Sequence, residues 1–185
     1  MKIEQTSLAG VVVLTPPRFG DDRGFFSEVW NRRTLSEQGI ERDFVQDNHS
    51  LSRPKGTLRG LHYQAPPHAQ AKLVRCTRGA VWDVAVDARV GSPTFSHWFG
   101  VELSAENGCQ ILVPDGFLHG FVTLTEDAEV LYKCDNYYNR DADGAVLWDS
   151  LPIEWPIDGT PILSDKDRSA PPFDQWESPF KVDAQ

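Results

Sequence analysis

The sequence has few cysteines and no long apolar run. Cys76, Cys109 and Cys134 are an odd number without CxxC spacing, and each sits among apolar residues, so neither a disulfide framework nor a zinc knuckle is indicated. No stretch approaches the roughly 20 apolar residues that a membrane helix needs. The opening MKIEQTSLAGVVVLT also lacks the basic region, long apolar stretch and cleavage site of a signal peptide. We therefore expect a cytoplasmic protein with no membrane partner.

Basic residues are outnumbered. The chain has 18 Lys and Arg against 27 Asp and Glu, which gives a formal charge of -9 at pH 7. Nonspecific binding to nucleic-acid phosphates depends on a basic surface, so we expect no nucleic-acid partner. A small phosphorylated ligand remains compatible with this charge, because a few Arg and Lys side chains in one cleft can bind a phosphate.

Helical patterns are nearly absent as well. The one candidate is RTLSEQGI at 33–40, with Asn31 as its cap and Gly39 as its stop. Strand-like runs rich in β-branched and aromatic residues recur instead, at 11–15, 72–77, 80–86, 97–103, 110–113, 120–124 and 129–134. Glycine, proline and acidic turn residues separate them. This pattern predicts an all-β sandwich or barrel with a few short helices.

The length of 185 residues and the hydrophobic content of 40% suit one domain spanning 1–185. From Leu151 onward the chain is rich in proline and acidic residues. We expect this part to wrap irregularly over the β core, and to end in a disordered tail from about Ser178 to residue 185.

Several polar residues fall at inward positions of these strands. Period-two alternation places Lys72 with Val74 and Cys76, and Tyr132 with Val130 and Cys134. A buried lysine needs an anionic or polar partner, so this face predicts a binding site.

In TLRGLHYQ at 57–64, Arg59 and His62 fall on opposite faces if the strand is regular. They share a face only if Gly60 marks a bulge. The sequence leaves these two arrangements open.

The segment VPDGFLHGF at 113–121 resembles the second motif of cupins, which are small β-barrels that often hold a metal on histidines and a carboxylate. The first cupin motif carries an HxH pair, whereas His62 is followed here by Tyr63 and Gln64. Two separated histidines, His62 and His119, fall short of a three-ligand site. We expect a cupin-shaped barrel without a metal or another cofactor.

Eight segments, in order and spanning nearly the whole chain, resemble the dTDP-4-dehydrorhamnose 3,5-epimerase family. They are FGDDRGFFSEVW, FVQDNHS, TLRGLHYQ, AKLVRC, GSPTFSHW, PDGFLHGFVTL, YKCDNYY and LSDKD. The resemblance implies a metal-free cupin jelly roll, a homodimer and a dTDP-sugar substrate. The implied reaction inverts carbons 3 and 5 of dTDP-4-dehydro-6-deoxy-D-glucose and gives dTDP-4-dehydro-L-rhamnose, in dTDP-L-rhamnose biosynthesis.

Inversion beside a ketone needs a base on one face, an acid on the other and a group that stabilises the enolate oxygen. By resemblance, His62 is the base and Asp167 orients its imidazole. Tyr132 is the opposing acid, since a phenol with a pKa near 10 stays neutral at pH 7. Lys72 lies near the keto oxygen.

The resemblance also implies the substrate-binding residues. Arg23 and Arg59 resemble clamps for the diphosphate, a role that suits the planar fork of arginine donors. Contacts to the thymidine are assigned to Glu28, Gln46 and Asn48, with Tyr138 stacked on the base. Further contacts are assigned to His119, near the sugar or phosphate, to Lys166, and to Asp143, which stands where family members often carry a glutamate.

Two other functions remain open at this stage. One is a mono-epimerase or ketoisomerase of a related dTDP-keto-sugar, which would use the same scaffold. The other is a noncatalytic sugar-binding cupin, which would have little use for an opposed histidine and tyrosine. The expected homodimer could form through VVVLT at 11–15, if this segment is an edge strand that pairs with a second copy.

Overall fold

A computed structural model of the protein describes residues 1–182. Its strands are β1 Lys2–Gln5, β2 Val12–Thr15, β3 Phe19–Asp21, β4 Gly24–Phe26, β5 Gln46–Ser52, β6 Leu58–Gln64, β7 Lys72–Arg78, β8 Ala80–Asp87, β9 Trp98–Ser104, β10 Gln110–Val113, β11 Phe117–Thr123, β12 Ala128–Cys134 and β13 Asp143–Ala145. The helices are α1 Arg32–Ser36 and α2 Asp165–Arg168, with one 3₁₀ turn at Phe173–Gln175. Within this part of the chain, no helix is long or apolar enough to cross a membrane.

Two antiparallel sheets form the body of the protein. The larger has the order β1-β2-β10-β7-β12-β5, and the smaller has the order β13-β6-β11-β8-β9. Strands β3 and β4 form a separate hairpin. The two antiparallel sheets and few short helices confirm the expected all-β, cupin-like jelly-roll fold.

All seven predicted strand segments are strands, with boundaries that differ by up to three residues. The predicted helix is shorter than expected and occupies Arg32–Ser36. Its cap is Asn31, whose side-chain oxygen accepts hydrogen bonds from the backbone of Arg33 and Thr34. The chain continues in turns beyond Ser36, so Gly39, with φ of +78°, closes those turns and not the helix itself.

Period-two alternation is also as expected. The apolar core between the sheets receives Val74 and Cys76 from β7, Val130 from β12 and Phe117 and Phe121 from β11. Because Lys72 and Tyr132 belong to the same inward rows, they lie at one end of this core. The polar end of the sandwich is where the site is found.

The segment after Leu151 covers the outer face of the smaller sheet, where Ile153 and Phe180 are buried in a second apolar cluster. The segment from Ser178 to Val182 was predicted to be part of a disordered tail, but in the structure it packs against the body of the protein. Ser178 Oγ donates a 2.5 Å hydrogen bond to the carbonyl of Ala88, and the backbone of Val90 pairs with this segment. Burial of the Phe180 ring explains the anchoring. The rest of the expected tail, 183–185, lies outside the described residues.

The position of VVVLT differs from the expected edge strand. Strand β2 is hydrogen-bonded to β1 on one side and to β10 on the other, all within one chain. The edges of the larger sheet are β1 and β5. Pairing of β2 with a second copy is therefore excluded unless β1 is displaced.

Candidate active site

A cavity of about 290 Å³ opens at the polar end of the sandwich. Seven predicted site residues are among its lining: Gln46, Asn48, His62, Lys72, Tyr132, Tyr138 and Asp143. Six of them come from strands of both sheets, since β5, β7 and β12 belong to the larger sheet and β6 and β13 to the smaller, and Tyr138 lies in the loop between β12 and β13. The two sheets therefore form opposite walls of one site.

A bulge in β6 places His62 on the cavity wall. His119 of β11 is opposite His62, and Phe121 is opposite Arg59, so three residues of β6 span two of β11. The extra residue lies at Gly60, which has φ of +131° and packs against Gly120 so closely that a Cβ at Gly60 would lie 2.6 Å from the Gly120 Cα. The bulged arrangement is therefore the one the structure adopts.

His62 and Asp167 form a short hydrogen bond, 2.5 Å from Nε2 to Oδ1. Asp167 is in α2 and is almost fully buried, and Ser164 caps this helix through Asp167. Burial raises the pKa of Asp167, but the hydrogen bond and charge of His62 and the Ser164 hydroxyl lower it by more, so the net shift is downward. Because an ionised carboxylate only accepts, Nε2 carries the proton and Nδ1 is the free basic nitrogen.

Lys72 and Tyr132 face the cavity from the larger sheet. Lys72 retains some exposed surface yet is ringed by protein atoms, as expected at the bottom of a cavity. Burial lowers the pKa of Lys72, and nearby Cys134, Asp83 and Asp143 oppose that change. Burial raises the pKa of Tyr132 above its ordinary value of 10. At pH 7 the phenol is thus a neutral hydrogen-bond donor.

The loop that carries Tyr138 is fastened to the cavity wall. The backbone N–H of Tyr138 donates to Gln46 Oε1 at 2.9 Å, and that of Asn139 donates to Gln64 Oε1 at 2.8 Å. The ring of Tyr138 remains 57% exposed, so a flat ligand can reach it. Gln64 lines the cavity but was missed by sequence reasoning, which gave no role to a glutamine in a strand.

Asp143 connects this loop to α2. Lys166 Nζ lies 2.5 Å from Asp143 Oδ2, and the Tyr138 hydroxyl donates to the same oxygen at 3.4 Å. Since Lys166 precedes Asp167 on the helix, the ion pair and the His62–Asp167 hydrogen bond fix α2 against the smaller sheet.

Arg59 and His119 lie beside the cavity. Arg59 donates through Nε to Ser52 Oγ at 3.1 Å and is close enough to Tyr132 for its charge to lower the pKa of the phenol in opposition to burial. His119 lines a small void that shares Lys72 and Gln64 with the main cavity.

Sequence reasoning missed the partner of His119, which is Asp83. Nε2 of His119 lies 2.9 Å from Oδ1 and 3.0 Å from Oδ2 of Asp83, and the Asp83 side chain is fully buried. The signal was present in AVWDVAV at 80–86, where an aspartate occupies an inward position of an apolar strand.

Two predicted residues do not reach the cavity within one chain. Arg23, in the turn of the β3–β4 hairpin, is exposed and paired with Asp21 at 2.5 Å. Glu28 accepts a 3.0 Å hydrogen bond from Asn31 Nδ2 at the start of α1. Phe25 and Phe26 of this hairpin are also exposed, by 63% and 69%.

A larger cleft of about 900 Å³ lies elsewhere, lined by residues such as Gly39, Arg42 and Lys181. It contains none of the predicted site residues, and its size alone gives no reason to place chemistry there. Within residues 1–182, no group of three or more His, Cys, Asp or Glu side chains is arranged to hold a metal ion.

Comparison with known proteins finds similar proteins over nearly the whole chain. The family model described as dTDP-4-dehydrorhamnose 3,5-epimerase matches residues 5–175. A dTDP-4-dehydrorhamnose 3,5-epimerase from Salmonella typhimurium strain LT2 is 53% identical over 178 residues, covering 95% of this chain and 97% of that protein. The crystal structure of a dTDP-6-deoxy-D-glucose-3,5-epimerase from Legionella pneumophila, in complex with dTDP-4-keto-L-rhamnose, has a TM-score of 0.94 and 41% identity, covering 99% of each chain.

A single-position enzyme is similar as well. The structure of a 3'-monoepimerase from Streptomyces bikiniensis with dTDP-quinovose has a TM-score of 0.84 and 36% identity, covering 90% of this chain and 85% of that one. A double mutant of that enzyme has substitutions at a histidine and a tyrosine 70 positions apart, the separation of His62 and Tyr132 here. Similarity of fold and sequence at this level therefore does not by itself separate one inversion from two.

Proposed function

This chain belongs to the dTDP-4-dehydrorhamnose 3,5-epimerase family, and on that premise we propose how its residues carry out the reaction. The protein is an isomerase that epimerises dTDP-4-dehydro-6-deoxy-D-glucose at carbons 3 and 5 to dTDP-4-dehydro-L-rhamnose, in dTDP-L-rhamnose biosynthesis. The proposal for the residues rests on one observation: His62, which is hydrogen-bonded to Asp167, shares a cavity with Tyr132 on the opposite sheet.

His62 is the base. Its Nδ1 is free to take the hydrogen from carbon 3 or carbon 5, because Nε2 is committed to Asp167. The buried carboxylate of Asp167 fixes the ring orientation and stabilises the imidazolium that forms after proton abstraction. A positioned base of this kind contributes about 10² to 10⁴-fold to the rate.

Tyr132 is the acid on the other face of the sugar. Because burial raises its pKa, the phenol keeps its proton at neutral pH and can deliver it to the planar carbanion from the wall opposite His62. Removal on one face and delivery on the other inverts the carbon. The Tyr132 hydroxyl forms no hydrogen bond with another side chain of residues 1–182, so it is available to the substrate.

Lys72 binds the oxygen of the 4-keto group. Its ammonium takes part in no ion pair within residues 1–182, and a positive charge in this enclosed position stabilises the enolate more than it would in water. The acid–base work is thus assigned to side chains alone, with no metal or other cofactor.

The nucleotide is bound around the rim. Tyr138 stacks on the thymine, Gln46 and Asn48 contact the thymidine, and Arg59 and His119 bind the diphosphate and sugar. Support comes from the exposed ring of Tyr138 and from the absence of a carboxylate partner for Arg59 within 4.0 Å among residues 1–182. Lys166 and Asp143 form the further contact from α2 and β13.

We also propose that a homodimer completes the site, since Arg23 and Glu28 lie away from the cavity of their own chain. A second copy can bring both residues to it, and burial of Phe25 and Phe26 in the contact would remove exposed apolar surface from water. The single domain of residues 1–185 and a cytoplasmic location belong to the same proposal.

The dimer is tested by complementation. Arg23→Ala and His62→Ala chains, each inactive alone, should regain activity when mixed under conditions of subunit exchange, because each heterodimer then contains one intact site. Absence of recovery, with a dimeric mass in light scattering, would place Arg23 in the site of its own chain. A monomeric mass at micromolar concentration would overturn the dimer itself.

The residue roles are tested by mass spectrometry of the substrate after incubation in deuterated water with a chelator. Uptake of two deuteriums and the inverted product are expected, with no uptake for His62→Asn. Uptake that requires an added metal would overturn the metal-free assignment, and full uptake by the variant would overturn the role of His62. Uptake of one deuterium would indicate a mono-epimerase, and binding without uptake would indicate a noncatalytic protein.

A further inference from the structure

The buried carboxylate of Asp83 has no role in the chemistry described so far. Its side chain has no exposed surface, and it faces inward from the middle of β8 toward the boundary between the apolar core and the cavity. A charge in such a position is costly unless it is paired. Among residues 1–182, the Asp83 side chain is hydrogen-bonded only to His119, and that histidine borders the void next to Lys72.

We propose that Asp83 is a positioning residue for the epimerisation, which fixes the His119 ring and places a buried negative charge behind the void that His119 shares with Lys72. This inference rests on the proposed function of the cavity. The effect on His119 and the effect on Lys72 both follow from one buried negative charge. Pairing of β8 with β11 places this charge behind His119, which borders the void next to Lys72.

The first effect is on His119. Both oxygens of Asp83 lie within 3.0 Å of Nε2, and since a carboxylate only accepts, Nε2 must be the protonated nitrogen. The ring is therefore held with Nδ1 as the nitrogen available to the substrate. Without Asp83, the ring could rotate and exchange its tautomer.

The second effect is on Lys72. The titratable groups around its ammonium are Cys134 and Tyr132 on β12, Asp83 on β8, Asp143 on β13, Lys166 on α2, and the two histidines His62 and His119. Burial lowers the pKa of Lys72, and Cys134 and then Asp83 oppose this. Burial raises the pKa of Cys134, so its thiol is uncharged near pH 7. Asp143 is already neutralised by Lys166, which leaves Asp83 as the effective anion.

The test compares Asp83→Asn with Asp87→Asn. Asp87 lies on the same strand and the same inward row and is equally buried, but it bonds to Arg89 away from the cavity. For Asp83→Asn we expect kcat to fall about tenfold to a hundredfold, as for loss of a hydrogen bond to a charged group, with a smaller change in KM. The fall of kcat at alkaline pH should also begin at lower pH than in the wild type, because Lys72 loses its proton more easily.

The control should lose thermal stability but keep the kcat and the alkaline limb of the wild type. The inference would be overturned if Asp83→Asn kept both the kcat of the wild type and its fall at alkaline pH. It would also be overturned if Asp87→Asn showed the changes expected for Asp83→Asn. If wild-type protein exchanges no deuterium into the substrate, the proposed function fails and the inference fails with it. Normal exchange by both wild type and Asp83→Asn refutes the inference alone.

A second measurement is made on the wild-type protein and therefore does not depend on the folding of a variant. In nitrogen-15 NMR of the wild-type protein, His119 should show a protonated Nε2 with slow proton exchange, since the ring is buried and bonded to Asp83. An Nδ1–H tautomer, or rapid exchange of this proton, would overturn the positioning role.

In the His119→Gln background, Asp83→Asn should still shift the fall of kcat at alkaline pH to lower pH. This result separates the effect on Lys72 from the effect on His119.

Discussion

Two histidine–aspartate pairs lie side by side in this protein and differ in their surroundings. His62 and His119 are opposite each other on β6 and β11, and each binds an aspartate through Nε2. The His62 side chain is 31% exposed, whereas that of His119 is 9% exposed and its aspartate is fully enclosed. The same chemical pair suits proton transfer where the imidazole is open to the cavity, and it suits fixing a ring in place where both partners are enclosed.

The largest expected effect is at the open pair. His62→Asn should lower kcat by about 10² to 10⁴-fold, because it removes the base. The free energy of unfolding should change little, since asparagine can still donate to Asp167. Steady-state kinetics and urea unfolding measure the two quantities, and a stability loss that matches the loss of activity would remove the distinction between the pairs.

The enclosed pair should respond in the opposite way. His119→Leu keeps the bulk but leaves Asp83 buried without a donor, which should lower the free energy of unfolding by about 3 kcal/mol. The matched variant His62→Leu should lose less, because Asp167 keeps its bond from Ser164. Urea unfolding of both variants decides the point, and equal losses would show that burial does not distinguish them.

A smaller effect is expected for the partner of the base. Asp167→Asn should lower kcat about tenfold to a hundredfold, as for loss of a hydrogen bond to a charged group. Binding of dTDP should be unchanged, because Asp167 does not line the cavity. Kinetics together with dTDP titration test this, and weaker nucleotide binding of similar size would instead indicate that α2 has moved.

The smallest effect concerns a third enclosed carboxylate, Asp87. Burial raises its pKa, but hydrogen bonds from Arg89, Ser92 and Thr94 lower it to about 2, against an ordinary value of 3.8. Its stabilisation is therefore complete above pH 4 and is lost as the pH falls through 2, by about 2 kcal/mol. Urea unfolding of the wild type between pH 4 and pH 2 should show this loss, and Asp87→Asn should lack it.

Sequence patterns predicted long strands whose inner face is apolar, and they missed β5, whose inner face is polar. Strand β5, QDNHSLS, lines the cavity with Gln46 and Asn48, so it shows no hydrophobic alternation. Its outer residues pair with neighbours on the sheet surface, as His49 does with Glu129. Only the family resemblance marked this segment.

The site was predictable in part. Alternation alone put Lys72 and Tyr132 on an inward face, and the resemblance added His62 and Asp167, which are distant in sequence. The sequence pattern could not show whether Asp83 is a structural aspartate of the core or belongs to the site, because its partner His119 lies 36 positions away on another strand. Arg23 and Glu28 lie away from the cavity of their own chain, so their predicted roles stay predictions that the proposed dimer would have to fulfil.

The glycine pair at the β6 bulge has a consequence for redesign. The histidine reaches the cavity only because its strand is one residue out of step with the neighbouring strand, and the near contact of Gly60 with Gly120 leaves no room for any side chain there. In a regular strand without the bulge, a histidine three residues after Arg59 would point to the opposite face from Arg59. A redesign therefore has to transfer the whole β-bulge, with Gly60 and Gly120, together with the histidine.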